Sequence, residues 1–226
     1  MSVPVVAVDG PSGSGKGTIS RLLARRAGWH LLDSGALYRL VALAGSHAGL
    51  EPDDIAGHAA LAGVMRVEFT VRDDGGERIL LDGKDVTGAV RAETTGQGAS
   101  RVAAWPAVRD ALMQRQRNFA QPPGLIADGR DMGTVVFPDA ALKIFLTASA
   151  EERAKRRYNQ LKDKDSAASL AALSREIAER DLRDSTRAVA PLRPASDAFV
   201  VDSTGVTVEA VLERVIELGR ARALWR

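Results

Sequence analysis

Residues 10–16 read Gly-Pro-Ser-Gly-Ser-Gly-Lys and fit the pattern G-x-x-x-x-G-K, which is typical of nucleotide phosphate sites. Glycines let the backbone curl until its N–H groups point at a phosphate, and Lys16 would neutralise the β- and γ-phosphates. A short apolar run at 3–8 predicts a buried strand before the motif, and apolar residues recur at helical spacing after it. This context favours a nucleotide site over an accidental glycine-rich turn. The predicted nucleotide-binding residues are Gly10, Pro11, Ser12, Gly13, Ser14, Gly15, Lys16, Gly17 and Thr18.

The position after Lys16 departs from the strict pattern. A Ser or Thr there would reach Mg²⁺, but this chain has Gly17, and the hydroxyl comes one residue later at Thr18. Direct metal binding by Thr18 is therefore left open. The sequence G-K-G-T at 15–18 resembles that of the adenylate-kinase-like nucleotide kinases, in which phosphates and water supply most of the metal ligands.

A second set of charged residues, Asp128, Arg130 and Asp131, follows a predicted buried strand at 125–127. In open α/β sheets, ligands bind outside the carboxyl ends of the strands. Asp128 is therefore the candidate that faces Mg²⁺ or its waters, and Arg130 and Asp131 extend towards a ligand. A tight turn that uses Asp and Gly for backbone reasons is the alternative, but two carboxylates and an arginine at one strand end favour a site.

Arg180, Asp184 and Arg187 share one face of a predicted helix at 169–185. Arg180 and Asp184 could form an exposed ion pair worth roughly 0.3–0.5 kcal/mol. Alternatively, the two arginines bind phosphates while Asp184 accepts hydrogen bonds from ribose hydroxyls.

Two further sets could lie near phosphates. Ser34, Tyr38 and Arg39 can surround a helix end beside a phosphate, although an N-cap, a core residue and a solvated charge explain the same residue types. Arginines on the helix that begins near residue 150 could close over the donor phosphates. These arginines are Arg153, Arg156 and Arg157.

The elements that position these residues alternate between short apolar strands and helices. This pattern predicts an α/β fold with a mostly parallel sheet and helices on both faces. Residues 63–90 interrupt it with alternating strands and the turn sequences 73–76 and 82–83, which indicates an inserted antiparallel lobe. The length of 226 residues fits one sizeable domain with such an insert.

Composition limits the function classes. The net charge of +2 is too weak a field to favour duplex nucleic acid, and 4% aromatic residues leave few platforms for stacking RNA bases. The chain has no cysteine, which excludes disulfides and thiolate metal sites. Neither a signal peptide nor a membrane-spanning run is evident, so we expect a cytoplasmic protein.

Four segments together closely resemble the bacterial cytidylate kinases. These segments are GPSGSGKGT at 10–18, LLDSGALYR at 31–39, ADGRDMGTVVFP at 127–138 and RAVAPL at 187–192. The likeness runs through nearly the whole chain, and the third segment is much more specific than the phosphate loop.

The resemblance implies a P-loop NTPase fold of three layers in a single nucleotide kinase domain, 1–226. Its core would comprise 1–35, 85–150 and 190–226. An NMP-binding region would cover about 36–90, with the β insert at 63–90, and a short lid about 153–168.

The resemblance also implies an activity, the transfer of the γ-phosphoryl group of ATP to CMP and dCMP with Mg²⁺. The implied CMP contacts are Ser34, Tyr38, Arg39, Ser100, Arg109, Arg130, Asp131, Arg180, Asp184 and Arg187. The implied catalytic cations are Lys16, Arg130, Arg153, Arg157 and Arg187, and the metal candidates are Thr18 and Asp128, directly or through water.

Within that set, Ser100 and Arg109 are implied at the base and Asp131 at the cytosine amino group. A carboxylate accepts a hydrogen bond from that amine, whereas uracil presents an oxygen there. An unpaired buried acceptor costs roughly 1–3 kcal/mol. We therefore expect a preference for CMP and dCMP over UMP.

Three alternatives remain. One is a related kinase for UMP or another acceptor such as shikimate. The second is a GTP-binding switch, since 202–205 match D-x-x-G, although no N-K-x-D guanine signature occurs. The third is an RNA-binding domain that uses the arginine-rich half. We expect a monomer that acts on small molecules and binds neither nucleic acid nor membrane.

Overall fold

The computed structural model describes residues 3–71, 77–162 and 169–225, and the chain divides into two compact units. The first unit comprises residues 1–33 and 117–226, and the second comprises residues 34–116. The described strands are β1 (Val5–Asp9), β2 (His30–Asp33), β3 (Val67–Val71), β4 (Glu77–Leu81), β5 (Lys84–Asp85), β6 (Leu125–Gly129), β7 (Leu142–Thr147) and β8 (Phe199–Asp202). The described helices are α1 (Lys16–Ala27), α2 (Ser34–His47), α3 (Ile55–Val64), α4 (Thr87–Arg91), α5 (Glu93–Val102), α6 (Pro106–Arg117), α7 (Ala150–Lys162), α8 (Leu170–Thr186) and α9 (Val208–Arg220).

In the first unit, the described strands form a five-stranded parallel sheet in the order β2-β6-β1-β7-β8. Every residue of β1 and β6 is buried, as expected for apolar runs in a parallel sheet covered on both faces. Leu23 of α1 and Val215 of α9 join Val8 and Ile144 of the sheet in one hydrophobic cluster. The α/β class with a mostly parallel sheet, predicted from the sequence, is confirmed.

The strand register brings acidic residues to one edge of this sheet. Asp33 at the end of β2 lies opposite Asp128 of β6, and Asp9 at the end of β1 lies opposite Gly129. Because the strands are parallel, the loops that follow them leave from this same edge. It is the edge at which ligands bind in open α/β sheets.

In the second unit, β3, β4 and β5 form an antiparallel sheet, in which Phe69 lies opposite Ile79. The separate antiparallel sheet predicted within 63–90 is therefore confirmed, while the turn predicted at 73–76 lies outside the described residues. Helix α5 packs along α2 in this unit, and α6 belongs to the unit up to Gln116. The NMP-binding region expected at about 36–90 covers only part of this unit, which runs from residue 34 to residue 116. Most of the remainder lies within 85–150, a range that the sequence-based division placed in the core.

The segment expected to form a lid, about 153–168, begins within α7. Its residues 163–168 lie outside the described residues, and α8 starts at Leu170. Every helix in the described ranges is too short or too polar to cross a membrane.

Candidate active site

The phosphate loop, residues 10–17, connects β1 to α1 and needs its glycines. A Cβ on Gly10 would lie 2.0 Å from the carbonyl oxygen of Leu146, so this residue is pressed against β7. Gly13 and Gly15 have φ values of 79° and 91°, which side-chain-bearing residues rarely adopt. The shape of the predicted phosphate loop thus depends on glycine at positions 10, 13 and 15.

Lys16 is buried at the start of α1, and its ammonium group donates to the carbonyl oxygen of Pro11 at 3.1 Å. The pKa of Lys16 is lowered to about 8, chiefly by burial and also by the nearby Arg130, whereas the charges of Asp128 and Asp33 oppose the shift. A bound polyphosphate would reverse the effect, because an anion stabilises the charged amine. Lys16 could therefore bind phosphate oxygens by giving up its hydrogen bond to the Pro11 carbonyl oxygen.

Asp128 is a buried acidic residue that lies against the phosphate loop. The pKa of Asp128 is raised to about 6, chiefly by burial and also by the charge of Asp33, whereas Lys16 opposes the rise. A Cβ on Gly17 would lie 3.1 Å from Asp128 Oδ2, so position 17 faces this carboxylate. Thr18 is exposed and lies roughly 100° further around the helix.

The carboxylates near the phosphate loop can be compared with the usual protein ligands of Mg²⁺. Within the described ranges, no group of three or more His, Asp or Glu side chains is arranged to hold a metal ion. One or two carboxylates with phosphates and water are the usual protein environment of Mg²⁺. Asp128, with Asp33 beside it, fits this description, whereas the helix geometry gives no support to direct ligation by Thr18, which stays a prediction.

The acceptor loop, residues 129–133, follows β6 and carries two of the predicted site residues. Arg130 Nε donates to Asp184 Oδ2 at 2.8 Å, and Arg187 Nη2 lies 3.9 Å from Asp131 Oδ1. Asp131 and Asp184 are both buried. The structure therefore brings two carboxylates and two guanidinium groups together beside the sheet edge, as the functional interpretation of these residues requires.

The charge state of this cluster follows from the pairing. Burial alone would raise the pKa of Asp184, but the charge and hydrogen bond of Arg130 outweigh it and lower that pKa. For Arg130, burial opposes the charged form, and Asp184 outweighs the burial and raises the pKa. Both groups are thus ionised at neutral pH.

Asp184, considered from helix spacing as half of an exposed pair with Arg180, is buried. It accepts from Arg130, and the charge of Arg180 also helps to lower the pKa of Asp184. Arg180 Nη1 in addition donates to the hydroxyl of Ser12 in the phosphate loop at 3.3 Å. Helix α8 therefore contacts both the phosphate loop and the acceptor loop.

The arginines of α7 also reach the phosphate loop. Arg153 is buried, donates to the Ser12 carbonyl oxygen at 3.0 Å, and forms a two-point ion pair with Asp181. Arg156 donates to the Ser14 carbonyl oxygen at 3.3 Å. Arg157 lies on the same helix and is half-buried.

The remaining predicted substrate residues lie in the second unit. Arg109 is buried, with its guanidinium carbon 6.0 Å from the centre of the Tyr38 ring. Arg39 donates to the carbonyl oxygens of Val90 and Ala92 at 3.0 and 2.9 Å. Ser34, the first residue of α2, donates through its hydroxyl to Gln116 at 2.8 Å, and Ser100 is half-buried on α5.

Comparison with known proteins decides the family. A family model described as cytidylate kinase matches residues 6–221. The chain is 61% identical over 216 residues to the cytidylate kinase of Pseudomonas paraeruginosa, covering 95% of this chain and 94% of the relative. It is 60% identical over 216 residues to that of Pseudomonas aeruginosa and 59% identical over 215 residues to that of Stutzerimonas stutzeri, each covering 95% of this chain and 94% of the relative.

The chain belongs to the cytidylate kinase family. This confirms the family expected from the four segments and, with it, the kinase class of enzyme. The predicted site residues of this cytidylate kinase family member are divided between the two units. The first unit holds Lys16, Asp128, Arg130, Asp131, Arg153, Arg180, Asp184 and Arg187, and the second unit holds Ser34, Tyr38, Arg39, Ser100 and Arg109.

Sequence reasoning did not select two residues of this region, Asp9 and Ser203, as site residues, and it mentioned Arg156 without including it among the catalytic cations. Asp9 is buried and accepts hydrogen bonds from the backbone N–H groups of Met132 and Gly133. Ser203 is buried and donates to the Ser14 carbonyl oxygen at 3.1 Å, and Arg156 contacts both serines. An acidic residue directly before the first loop glycine was the available signal for Asp9. Ser203 lies in the D-x-x-G match at 202–205, which was considered only for a GTP-binding switch.

Proposed function

We propose that this cytidylate kinase family member transfers the γ-phosphoryl group of ATP to CMP and dCMP, giving ADP and CDP or dCDP. One observation carries the acceptor half of the proposal. Asp131, which is only 2% exposed, lies within an arginine-rich cluster at the end of the strand that neighbours the phosphate-loop strand. Family membership supports the same reaction.

The reaction needs no general base, because the phosphate of CMP is already an ionised nucleophile. The barrier lies in bringing two anions together and in spreading charge over the transferred group. Fixed cations lower that barrier, because they stabilise charge that develops in the transition state. We assign this role to Lys16, Arg130, Arg187, Arg153 and Arg157.

Binding of Mg²⁺ belongs to the same proposal. Asp128 would hold the ion through water, with Asp33 adding negative charge, and Thr18 remains the alternative ligand. The ion would supply positive charge that neutralises part of the charge of the donor phosphates. The carboxylate of Asp128 is suited to this role, since a dication favours its ionised form over the protonated form that burial favours.

Choice of the base follows from the chemistry of Asp131. Its carboxylate can accept from the cytosine amino group, and uracil would place an oxygen against it. We assign CMP binding to Asp131 with Arg130, Arg180, Asp184 and Arg187 of the first unit. From the second unit we assign Ser34, Tyr38, Arg39, Ser100 and Arg109.

A coupled assay for ADP release tests the function. With ATP and Mg²⁺, CMP and dCMP should turn over roughly 5–150-fold more efficiently than UMP, AMP or shikimate, because one unpaired buried acceptor costs about 1–3 kcal/mol. Equal turnover of UMP or AMP would overturn the role of Asp131. Turnover with GTP as the only donor would instead support a guanine-nucleotide protein.

Assembly and location complete the proposal. We propose a monomer that acts in the cytoplasm on small molecules and binds no nucleic acid. The absence of cysteine fits a reducing compartment, and the net charge of +2 gives little attraction for nucleic acid. Light scattering coupled to size-exclusion chromatography should give a mass near 24.0 kDa, and a doubled mass would contradict the monomer.

A further inference from the structure

Asp9, the last residue of β1, has no part in the mechanism above, yet it is a buried carboxylate with both oxygens engaged. Its Oδ1 accepts from the backbone N–H of Met132 and its Oδ2 from that of Gly133, each at 2.8 Å. Its side chain is only 5% exposed. A buried charge is costly unless it is paired or hydrogen-bonded, so a carboxylate at this place indicates a specific contact rather than chance.

The segment that Asp9 binds begins the π-helical turn Met132–Val136. The first N–H groups of a helical turn have no acceptor within the turn and need one elsewhere. Asp9 supplies two acceptors with one side chain. It therefore determines where this turn begins and how it is oriented on the sheet.

The fit around Gly133 is close on both sides. A Cβ there would lie 3.1 Å from Cδ of Lys143 and 3.4 Å from Asp9 Oδ2. The backbone at this position is therefore enclosed between a carboxylate on β1 and a lysine stem on β7. Little displacement of the turn is possible while both neighbours keep their places.

The residues just before this turn are Arg130 and Asp131. Arg130 is fixed at its guanidinium end by Asp184, and Asp131 lies near Arg187. Asp9 fixes the backbone immediately after them. The acceptor loop is thus held from two sides, by ion pairs at its side chains and by Asp9 at its main chain.

Asp9 also adjoins the phosphate loop in the chain. Its own backbone is fixed in β1, opposite Gly129 on one side and Phe145 on the other. Gly10, which follows, is pressed against the Leu146 carbonyl oxygen. We therefore expect a change confined to the Asp9 side chain to release the acceptor loop and to leave the path of the phosphate loop in place.

We propose that Asp9 is a positioning residue for the acceptor: by binding the N–H groups of Met132 and Gly133, its carboxylate sets the placement of Arg130 and Asp131 and so contributes to CMP affinity and base choice. This inference rests on the proposed CMP kinase function. It assigns Asp9 no contact with either substrate.

The test is a kinetic comparison of wild type with Asp9→Asn, an isosteric change in which one oxygen acceptor becomes a donor that faces an N–H group. The KM for CMP should rise about tenfold, and the ratio of kcat/KM for CMP over UMP should fall about fivefold, because misplacement of a positioned group by a fraction of an ångström weakens the contacts it makes. The KM for ATP should stay within about threefold.

Asp202→Asn is the matched control. Asp202 also ends a strand of this sheet, and its Oδ1 accepts from the N–H of Thr204, in the loop that follows, at 2.9 Å. That loop carries none of the residues assigned to CMP. The KM for CMP and the CMP over UMP ratio of this variant should stay within about twofold of wild type.

Two measurements keep the test decisive if Asp9→Asn folds poorly. Gly133→Ala retains the carboxylate but crowds the same contact, and it should raise the KM for CMP about threefold with little change in the KM for ATP. In wild type, the amide hydrogens of Met132 and Gly133 should exchange as slowly as those of the sheet. Fast exchange at both amides would overturn the contact itself.

The outcomes separate this inference from the proposed function. A wild-type protein that does not phosphorylate CMP refutes the function, whatever Asp9 does. A wild-type CMP kinase whose Asp9→Asn variant keeps its KM for CMP and its base preference refutes the inference. Equal increases in the KM for both substrates would also refute it, since they indicate a general loss of structure.

Discussion

The phosphate loop and the acceptor loop follow neighbouring strands of one sheet, β1 and β6, but they are built from different groups. The phosphate loop depends on backbone conformation: glycines at 10, 13 and 15 adopt positive φ values, and Gly10 leaves no room for a side chain. The acceptor loop depends on side chains. Arg130 contacts Asp184 of α8, and Asp131 lies near Arg187, the residue directly after α8.

We propose that this difference determines what each loop recognises. Backbone N–H groups and one lysine bind a phosphate in any nucleotide, so the first loop identifies a donor site without defining the reaction. A carboxylate and guanidinium groups in fixed positions can distinguish one acceptor base from another. Substitutions should therefore affect the two loops differently, the first through backbone geometry and the second through charge and hydrogen bonding.

Gly10→Ala should have the largest effect. The new Cβ would lie 2.0 Å from the Leu146 carbonyl oxygen, and the residue would keep a φ of 153° that alanine rarely adopts. We expect kcat/KM for ATP to fall by roughly 10²–10³-fold, since donor groups of the loop would be displaced from the phosphates. Steady-state kinetics with varied ATP measures this.

Gly205→Ala is the control for that change. Gly205 has a φ of 66° but no atom within 4 Å of the added Cβ. It should lose only about 1 kcal/mol of stability, from backbone strain, and keep its kcat/KM for ATP. If both glycine variants behave alike, the phosphate loop is not held by the close contact at Gly10.

Asp184→Asn should have an intermediate effect, confined to the acceptor side. It removes the charge that Arg130 binds at 2.8 Å, and hydrogen bonds to charged groups are worth about 1.5–3 kcal/mol. We expect roughly a 10–100-fold lower kcat/KM for CMP and a smaller change for ATP. Glu179→Gln, on the exposed face of the same helix, should change neither, and a similar loss in that variant would contradict the assignment.

Ser14→Ala should have the smallest effect, although Ser14 lies within the phosphate loop. Its hydroxyl is buried, and among the described residues it has no hydrogen-bond partner, whereas its carbonyl oxygen accepts from Arg156 and Ser203. The variant keeps that backbone contact, so kcat and the KM for ATP should stay within about threefold. A loss of tenfold or more would show that this loop uses side chains as well.

The two loops also differ in how far the sequence alone could predict them. Strand, glycines and lysine are contiguous, so spacing was enough to identify the phosphate loop. For Asp184, spacing on the helix indicated Arg180 as a partner at i−4, but it gave no sign of Arg130, which lies 54 positions away and donates to Asp184. No local pattern encodes that pairing, because it depends on how α8 packs beside the sheet.

The same reasoning explains which parts of the fold were predictable. Continuous apolar runs in β1 and β6 predicted a buried parallel sheet, and the sheet is present. The unit to which α5 and α6 belong could not be derived from their periodicity, since an amphipathic helix shows which face is buried but not against what. The contacts of Asp9 were hidden for a related reason: its partners are backbone groups 123 and 124 positions away.

The central claim is that the acceptor loop selects CMP through Asp131, and one measurement tests it most directly. CMP and UMP are titrated as acceptors with wild type and with Asp131→Ala at saturating ATP. We predict that the variant binds CMP roughly 10–100-fold more weakly and that its preference for CMP over UMP largely disappears, because the buried acceptor for the cytosine amino group is gone. Unchanged CMP affinity together with an unchanged preference over UMP would contradict the account.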